Sequence, residues 1–210
     1  VLLRCGSGEC WDDVVEHAVS NGWYGAENLS IIPGDVGASA VQNIGAYGVE
    51  AKDIIHSIEA LDIATAEPRV FTAEECNYSY RYSRFKDEWK GQYVITHVTY
   101  RLSKTFVPHT SYGNIQAELD SRGISVPTAR DVRDVIIGIR NAKLPDPKVE
   151  GNAGSFFMNP VVDAAFYEQL AAKYPGMPHY QAGEGKVKIP AGWLIDQCGW
   201  KGRVLGKAGV

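Results

Sequence analysis

Lys143, Ser155 and Asn159 fall within one stiff stretch, Lys143-Leu-Pro-Asp-Pro-Lys-Val-Glu-Gly-Asn-Ala-Gly-Ser-Phe-Phe-Met-Asn-Pro160. Pro145 and Pro147 fix their own φ and push the residues before them toward extended backbone. Gly151 and Gly154 flank Asn152-Ala153 and permit close approach or positive φ. Polar groups on a glycine-bent segment backed by Phe156 and Phe157 suit the positioning of a small polar ligand. The same pattern also fits a plain connector followed by a buried phenylalanine pair. No general short motif decides between the two.

Two further stretches could do chemistry. Between Asn28 and Gly48, glycines recur at 34, 37, 45 and 48 among small residues. Such a run can present backbone N–H groups and let a flat or phosphorylated ligand come close. It is neither the strand–GxGxxG–helix fingerprint nor a P-loop, and it reads equally as a loop of tight turns. In Tyr78-Ser-Tyr-Arg-Tyr-Ser-Arg-Phe-Lys86, tyrosines interleave with Arg81 and Arg84. An arginine among aromatic rings can bind a carboxylate or lie on a conjugated ring. The structural alternative is a solvated sheet edge.

Composition narrows the class. The 210 residues are 45% apolar, enough for a core in one or two domains. A net charge of −4 disfavours non-specific nucleic-acid binding. No apolar run approaches the length of a membrane span. Cys5, Cys10, Cys76 and Cys198 form no CxxC pair, and His17, His56, His97, His109 and His179 are scattered, so no metal site is expected. Reduced thiols of a cytoplasmic protein are the simplest reading. The chain opens on Val1 with no signal-peptide pattern and stops without a terminating signal, as expected of a segment cut from a longer protein.

The elements that must position these residues follow from periodicity. A helix is predicted over 10–22, with Trp11, Val14, Val15 and Ala18 on one face, and another over 128–140, with Val132, Val135, Ile136 and Ile139 inward. The second delivers Arg140 and Lys143 to the central stretch. Strands are predicted at 54–63, 69–71 and 92–102, the last rich in β-branched and aromatic residues. Thr72 and Glu75 have capping-box spacing. Residues 103–127 read mostly as loop, with Tyr112-Gly113 at a turn. A third helix over 163–174 should turn Ala165, Phe166 and Leu170 inward. A loop with room to move carries His179 and Tyr180, and a last helix within 191–202 ends at Gly199, just before Lys201.

Four pieces, in this order, resemble the bacterial UDP-N-acetylenolpyruvoylglucosamine reductases (MurB). They are Pro33–Gly48, Tyr80-Arg81 with Ser83 and Phe85-Lys86, Lys143–Pro160, and Ala191–Gly202. The resemblance covers nearly the whole chain. It implies an α+β protein, with an FAD-binding mixed-sheet domain of the MurB/vanillyl-alcohol-oxidase type over 1–144 and a smaller α/β substrate-binding domain from 145 to 210. It also implies non-covalent FAD, NADPH as reductant, and UDP-N-acetylglucosamine enolpyruvate as substrate, in a monomer of the bacterial cytoplasm. Cofactor-binding positions would be Pro33, Gly34, Gly37, Ala38, Ser39, Gln42, Asn43, Gly45, Ala46, Tyr47, Gly48, Tyr80, Arg81 and Ile95. By the same resemblance Ser155 is the proton donor, and Arg81 contacts the flavin and polarises the substrate carboxylate. Tyr112, Arg140, Lys143 and Asn159 would hold the substrate, Lys201 its diphosphate, and Tyr180 would be the lid tyrosine of the longer family branch.

The chain departs from the family in lacking a first flavin-binding subdomain and a catalytic glutamate near the end, so these 210 residues alone are expected to be inactive or to bind FAD poorly. Two other readings stand beside this one. One is a different FAD oxidoreductase of the same fold, and the other is a non-catalytic UDP-sugar-binding remnant.

Overall fold

In the computed structural model, residues 1–146, 149–151 and 156–210 are described. They form two compact units, Val1–Glu150 and Gly151–Val210.

The first unit is built on β1 (Leu2–Gly6), α1 (Trp11–Ser20), α2 (Val36–Gln42), the hairpin β2 (Gly45–Ala46) and β3 (Val49–Glu50), β4 (Ile55–Asp62), β5 (Pro68–Thr72), β6 (Tyr93–Arg101), α3 (Ile115–Ser121) and α4 (Ala129–Asn141). Its main sheet has the order β1-β6-β4-β5. Each of the three ladders is antiparallel, so the described sheet is not a mixed one, while the α+β class is as expected. Alternation along β6 turns Val98 and Tyr100 inward, where they meet Ile58 of β4 and Trp11 of α1. Trp11 and Tyr100 meet edge to face at 5.4 Å, and the indole N–H donates to the Leu29 carbonyl at 2.8 Å. Thr72 and Glu75 exchange their capping bonds at 2.8 and 3.2 Å, as their spacing predicts.

Two helices depart from expectation. Where the glycine-rich run reads as loop, residues 36–42 are helical as α2. Intrinsic propensity does not explain it, since Gly37 and Ser39 are weak formers. The surroundings do: Val36 and Gly37 N–H donate to the carbonyls of Glu9 (2.9 Å) and Ser7 (2.8 Å), and Ser39 Oγ lies 2.7 Å from Tyr100 OH. Residues 115–121, also read as loop, form α3, which buries Ile115 and Leu119 against α4.

Arg133, 4% exposed on α4, ties that helix to α1. It donates to both Asp12 oxygens at 2.7 and 3.0 Å and to Glu16 at 2.7 Å, while Arg130 also reaches Glu16 at 2.7 Å. Hydrogen bonds from Arg130 and then Arg133 hold the Glu16 carboxyl at about 2, against an ordinary 4.5. Burial works to raise Asp12, but Arg133 and the Ile31 N–H overcome it and leave that carboxyl below its usual range. Both groups are depressed, so their contribution is complete above the ordinary carboxylate range and is lost as pH falls toward about 2. Glu16 is partly solvated, which weakens the effect. Glu16→Gln is expected to flatten the dependence of stability on pH in that window. Urea midpoints at about pH 6 and about pH 2.5 check it, and an unchanged slope would show the pair to be inert.

The second unit comprises β7 (Val161–Asp163), α5 (Ala164–Lys173), β8 (Tyr180–Gln181), β9 (Lys186–Lys188), α6 (Ala191–Gln197) and the hairpin β10 (Val204–Leu205) and β11 (Ala208–Gly209). Its sheet is β7-β9-β8, and its core gathers Tyr167, Met177, Val187 and Ile189. The inward face of α5 is therefore not the expected one. Tyr167 is buried, Leu170 half-buried, and Ala165 and Phe166 exposed. The Tyr167 hydroxyl, 2.8 Å from His179 Nδ1, fixes that rotation. Phe156 and Phe157 are 78% and 60% exposed, so they are not a buried pair.

Candidate functional site

In the first unit the site residues collect on the β2–β3 hairpin. Ala46 pairs with Val49, leaving Tyr47-Gly48 as a two-residue turn with φ of 49° and 82°. Positive φ at both positions matches the right-handed twist of the strands, and glycine is the easy occupant of the second.

Arg81 reaches this hairpin from the turn Ser79–Tyr82, whose ends exchange backbone bonds at 3.1 and 3.0 Å. Its own φ is 56°, a left-handed conformation that costs a non-glycine residue about 1–2 kcal/mol. Observed strain of this kind marks candidate functional positions. The guanidinium donates to the carbonyls of Gly45 and, at 3.4 Å, Asn43. It also lies 5.0 Å from the centroid of the Tyr80 ring, and Lys86 Nζ donates to the Arg81 carbonyl at 2.9 Å. Gly45 makes room for it: a methyl group there would come within 2.8 Å of Arg81 Nη1 and 3.1 Å of the Val49 carbonyl.

Some expected cofactor positions turn out to serve the scaffold. The Asn43 side chain is buried, donates to Glu50 Oε2 (2.9 Å) and the Ser79 carbonyl (2.8 Å), and accepts from Lys52 N–H (2.9 Å). Ser39 is likewise interior, on Tyr100 and the Val36 carbonyl. Gly37 packs against Ser7, whose Cβ would lie 3.0 Å from an added methyl group. The backbone donors at the start of α2 are taken by Glu9 and Ser7, so the glycine-rich run does not offer those N–H groups to a ligand. Pro33, Gly34 and Gln42 are exposed, Ala38 and Ala46 half-buried, and Ile95 half-buried on β6.

Tyr47 and Arg140 form a second focus. The Tyr47 phenol is pushed up by burial and drawn partly back by the hydrogen-bonding Arg140. Arg140 also donates to the Ile31 carbonyl at 3.4 Å, yet its Nε is buried without a partner among the described residues. A buried donor left unpaired is costly, so the group is suited to meeting an acceptor brought by a ligand. Tyr112 stands over Gly48. Lys143 is exposed on the turn after α4. Asn28 and Glu27, both buried and polar beside this focus, are not among the residues expected from sequence. Their only signal in the sequence is a Glu-Asn pair where the glycine-rich stretch begins.

In the second unit, Asn159 Oδ1 accepts the first N–H of α6, from Ala191, at 2.8 Å. This bond anchors the segment that leads out of the central stretch. Tyr180 is exposed on β8, and Lys201, also exposed, lies 3.8 Å from Asp196 Oδ2 just beyond α6. Ser155, the expected proton donor, lies outside the described residues. Among the described residues no cluster of three His, Cys, Asp or Glu could hold a metal ion, and no helix is long and apolar enough to cross a membrane.

Residues 2–73 match the family described as FAD binding domain, and residues 146–210 match the C-terminal domain of UDP-N-acetylenolpyruvoylglucosamine reductase. The chain is 54% identical to a protein of that name from Bacteroides fragilis YCH46, over 100% of this chain and 62% of the relative. Against the one from Porphyromonas gingivalis ATCC 33277 the figures are 51%, 100% and 62%, and against that of Azoarcus sp. BH72 they are 49%, 99% and 60%. The chain thus spans about three fifths of the length of the curated relatives it matches. A crystal structure of the Thermus caldophilus reductase shares the fold, with a TM-score of 0.57 at 22% identity over 97% of this chain and 56% of that one.

Proposed function

Because this chain belongs to the UDP-N-acetylenolpyruvoylglucosamine reductase family, we propose that the protein is an FAD-dependent reductase that uses NADPH to convert UDP-N-acetylglucosamine enolpyruvate into UDP-N-acetylmuramate. The seat of Arg81 carries the reading: a strained arginine held on the carbonyls of a glycine hairpin inside a flavin-type fold. The residues fit a flavin, with Gly34 exposed and, among the described residues, nothing within reach of a methyl group placed there. FAD, when bound, would pass hydride from NADPH to the terminal carbon of the enol ether.

The rest falls to the chain. Negative charge builds on the carbon bearing the carboxylate, and Arg81 disperses it through that carboxylate. Ser155 would give this carbon its proton; a weak acid suffices when it is fixed beside a strongly basic centre. Tyr112, Arg140, Lys143 and Asn159 would orient the substrate. Lys201 would meet the diphosphate as a point charge, and Tyr180 would close over the nucleotide. In this reading residues 1–144 belong to the flavin domain and 145–210 to the substrate domain. The four free thiols suit a reducing compartment, here the bacterial cytoplasm. On the same reading the protein is a monomer.

The test is anaerobic. NADPH is expected to bleach the flavin of the protein as its gene encodes it, and the UDP-sugar to restore the colour. Bleaching without restoration would discard the substrate, and absence of bound flavin would discard the reading altogether.

A further inference from the structure

Asn28 is 1% exposed in the turn of 3-10 helix Glu27–Leu29, and no step proposed above uses it. We propose that Asn28 is a positioning residue for the substrate site, locking the Tyr47–Gly48 turn to the segment that carries Tyr112. The inference rests on the function proposed above.

The Asn28 amide nitrogen directs both protons onto backbone carbonyls, that of Tyr47 at 3.0 Å and that of His109 at 2.8 Å. Only a donor can face two carbonyl oxygens, so the orientation of the amide follows from its partners. One carbonyl belongs to the cofactor hairpin. The other lies three residues before Tyr112, in a stretch without helix or strand of its own.

The two segments also interlock by shape. A methyl group at Gly48 would lie 3.3 Å from Tyr112 Cβ, and one at Gly113 would lie 3.5 Å from Tyr47 Cδ1. Each ring fills the place a side chain would take on the opposite glycine, and both glycines have positive φ, 82° and 68°. Such packing is non-directional and lets rings slide. Two directed bonds from one buried amide set the register.

The base of this strut is firm. Leu29, next in the chain, takes the indole N–H of buried Trp11, and Ser30 Oγ donates to the Glu27 carbonyl at 2.6 Å. The segment of Tyr112 is thus tied to the flavin hairpin by a residue that is itself almost wholly buried.

The experiment pairs Asn28→Ala with Tyr112→Phe in the protein as its gene encodes it. Asn28→Ala is expected to raise KM for the UDP-sugar about tenfold, the order set by losing two buried hydrogen bonds. The double variant is expected to be no worse than Tyr112→Phe alone, because the alignment serves the Tyr112 hydroxyl that the phenylalanine has already removed. Effects that multiply would overturn the proposal, as would an unchanged KM. Hydrogen exchange needs no turnover: in Asn28→Ala, peptides over 44–48 and 107–114 should lose protection together while those of β4 and β6 keep theirs. Uniform loss would reduce Asn28 to a general stabiliser and sink the idea. Asn28→Ser, which keeps one donor, serves if the alanine variant does not fold, with a smaller shift in the same peptides expected. If the unaltered protein neither bleaches with NADPH nor recolours with the UDP-sugar, the function fails by itself, and the exchange result still judges the strut.

Discussion

Arg81→Lys is expected to lower turnover of the UDP-sugar by about 10²–10³, the usual loss when a donor to developing negative charge is removed. The charge survives this change, so the loss tests geometry. Arg81 spends part of its planar fork on the Gly45 and Asn43 carbonyls and lies over Tyr80, which leaves its remaining donors aimed. A lysine ammonium is a compact point charge on a flexible stem and cannot anchor on two carbonyls while also presenting a flat donor face. Stopped-flow separation of the half-reactions checks it: the loss should concentrate in reoxidation by the UDP-sugar, with reduction by NADPH affected far less. An unchanged kcat with a raised KM would mean that Arg81 binds the substrate without assisting the chemistry.

Gly45→Ala is expected to reproduce most of that loss although it leaves Arg81 in the sequence. The φ of Gly45 lies outside the left-handed region, so alanine meets no backbone obstacle. Its methyl group, however, would sit 2.8 Å from Arg81 Nη1, 3.0 Å from Glu50 Cγ and 3.1 Å from the Val49 carbonyl. The carbonyl belongs to the hairpin ladder and cannot yield, whereas the guanidinium is the end of a long side chain. Relief therefore comes by expelling Arg81 from its seat. Overpacking of this kind costs about 1–3 kcal/mol in stability, which a urea titration can follow. The diagnostic measurement is the combination with Arg81→Ala: once Arg81 is gone, Gly45→Ala should add little further loss of activity. A fully active Gly45→Ala would show that the seat is not needed.

Much of the fold was legible because long elements carry their own period. The stripes of Trp11, Val14, Val15 and Ala18, and of Val132, Val135, Ile136 and Ile139, are buried as the spacing requires, except that Val14 is half-buried. The elements that escaped are those whose cause lies elsewhere in the chain. Helix α2 has a glycine and a serine inside it and is held by Ser7, Glu9 and Tyr100. Helix α3 offers only Ile115 and Leu119 as a signal, a spacing of four that a loop can also show. On α5 the core forms around Tyr167, whose hydroxyl bonds His179, while Phe166 stays exposed, a choice that the apolar pattern alone does not make.

The candidate site was legible in a different way. The sequence located the stretches but could not sort ligand-facing groups from scaffold. Asn43 and Asn28 are the same residue type, and what distinguishes them from surface asparagines is burial among carbonyls contributed from remote parts of the chain. Tyr47 and Arg140 likewise lie far apart in sequence, and only the fold brings phenol and guanidinium together.

The pairing of β1 with β6 has a consequence for how the molecule comes into being. Leu2 finds its partner at Arg101 and Gly6 at His97, while β4 and β5 are joined by a short hairpin. The hairpin can zip within microseconds of its appearance. At typical synthesis rates β1 must wait on the order of 5–20 s for β6 to leave the ribosome. Through that interval the edge of residues 2–6 that β6 will take has no partner from β6, and it is open to mispairing. Arg4, which ends in a bidentate pair with Glu59, puts a charge in the middle of that waiting segment. A charge there discourages mispairing with another nascent copy, so the residue guards the chain before it joins the sheet.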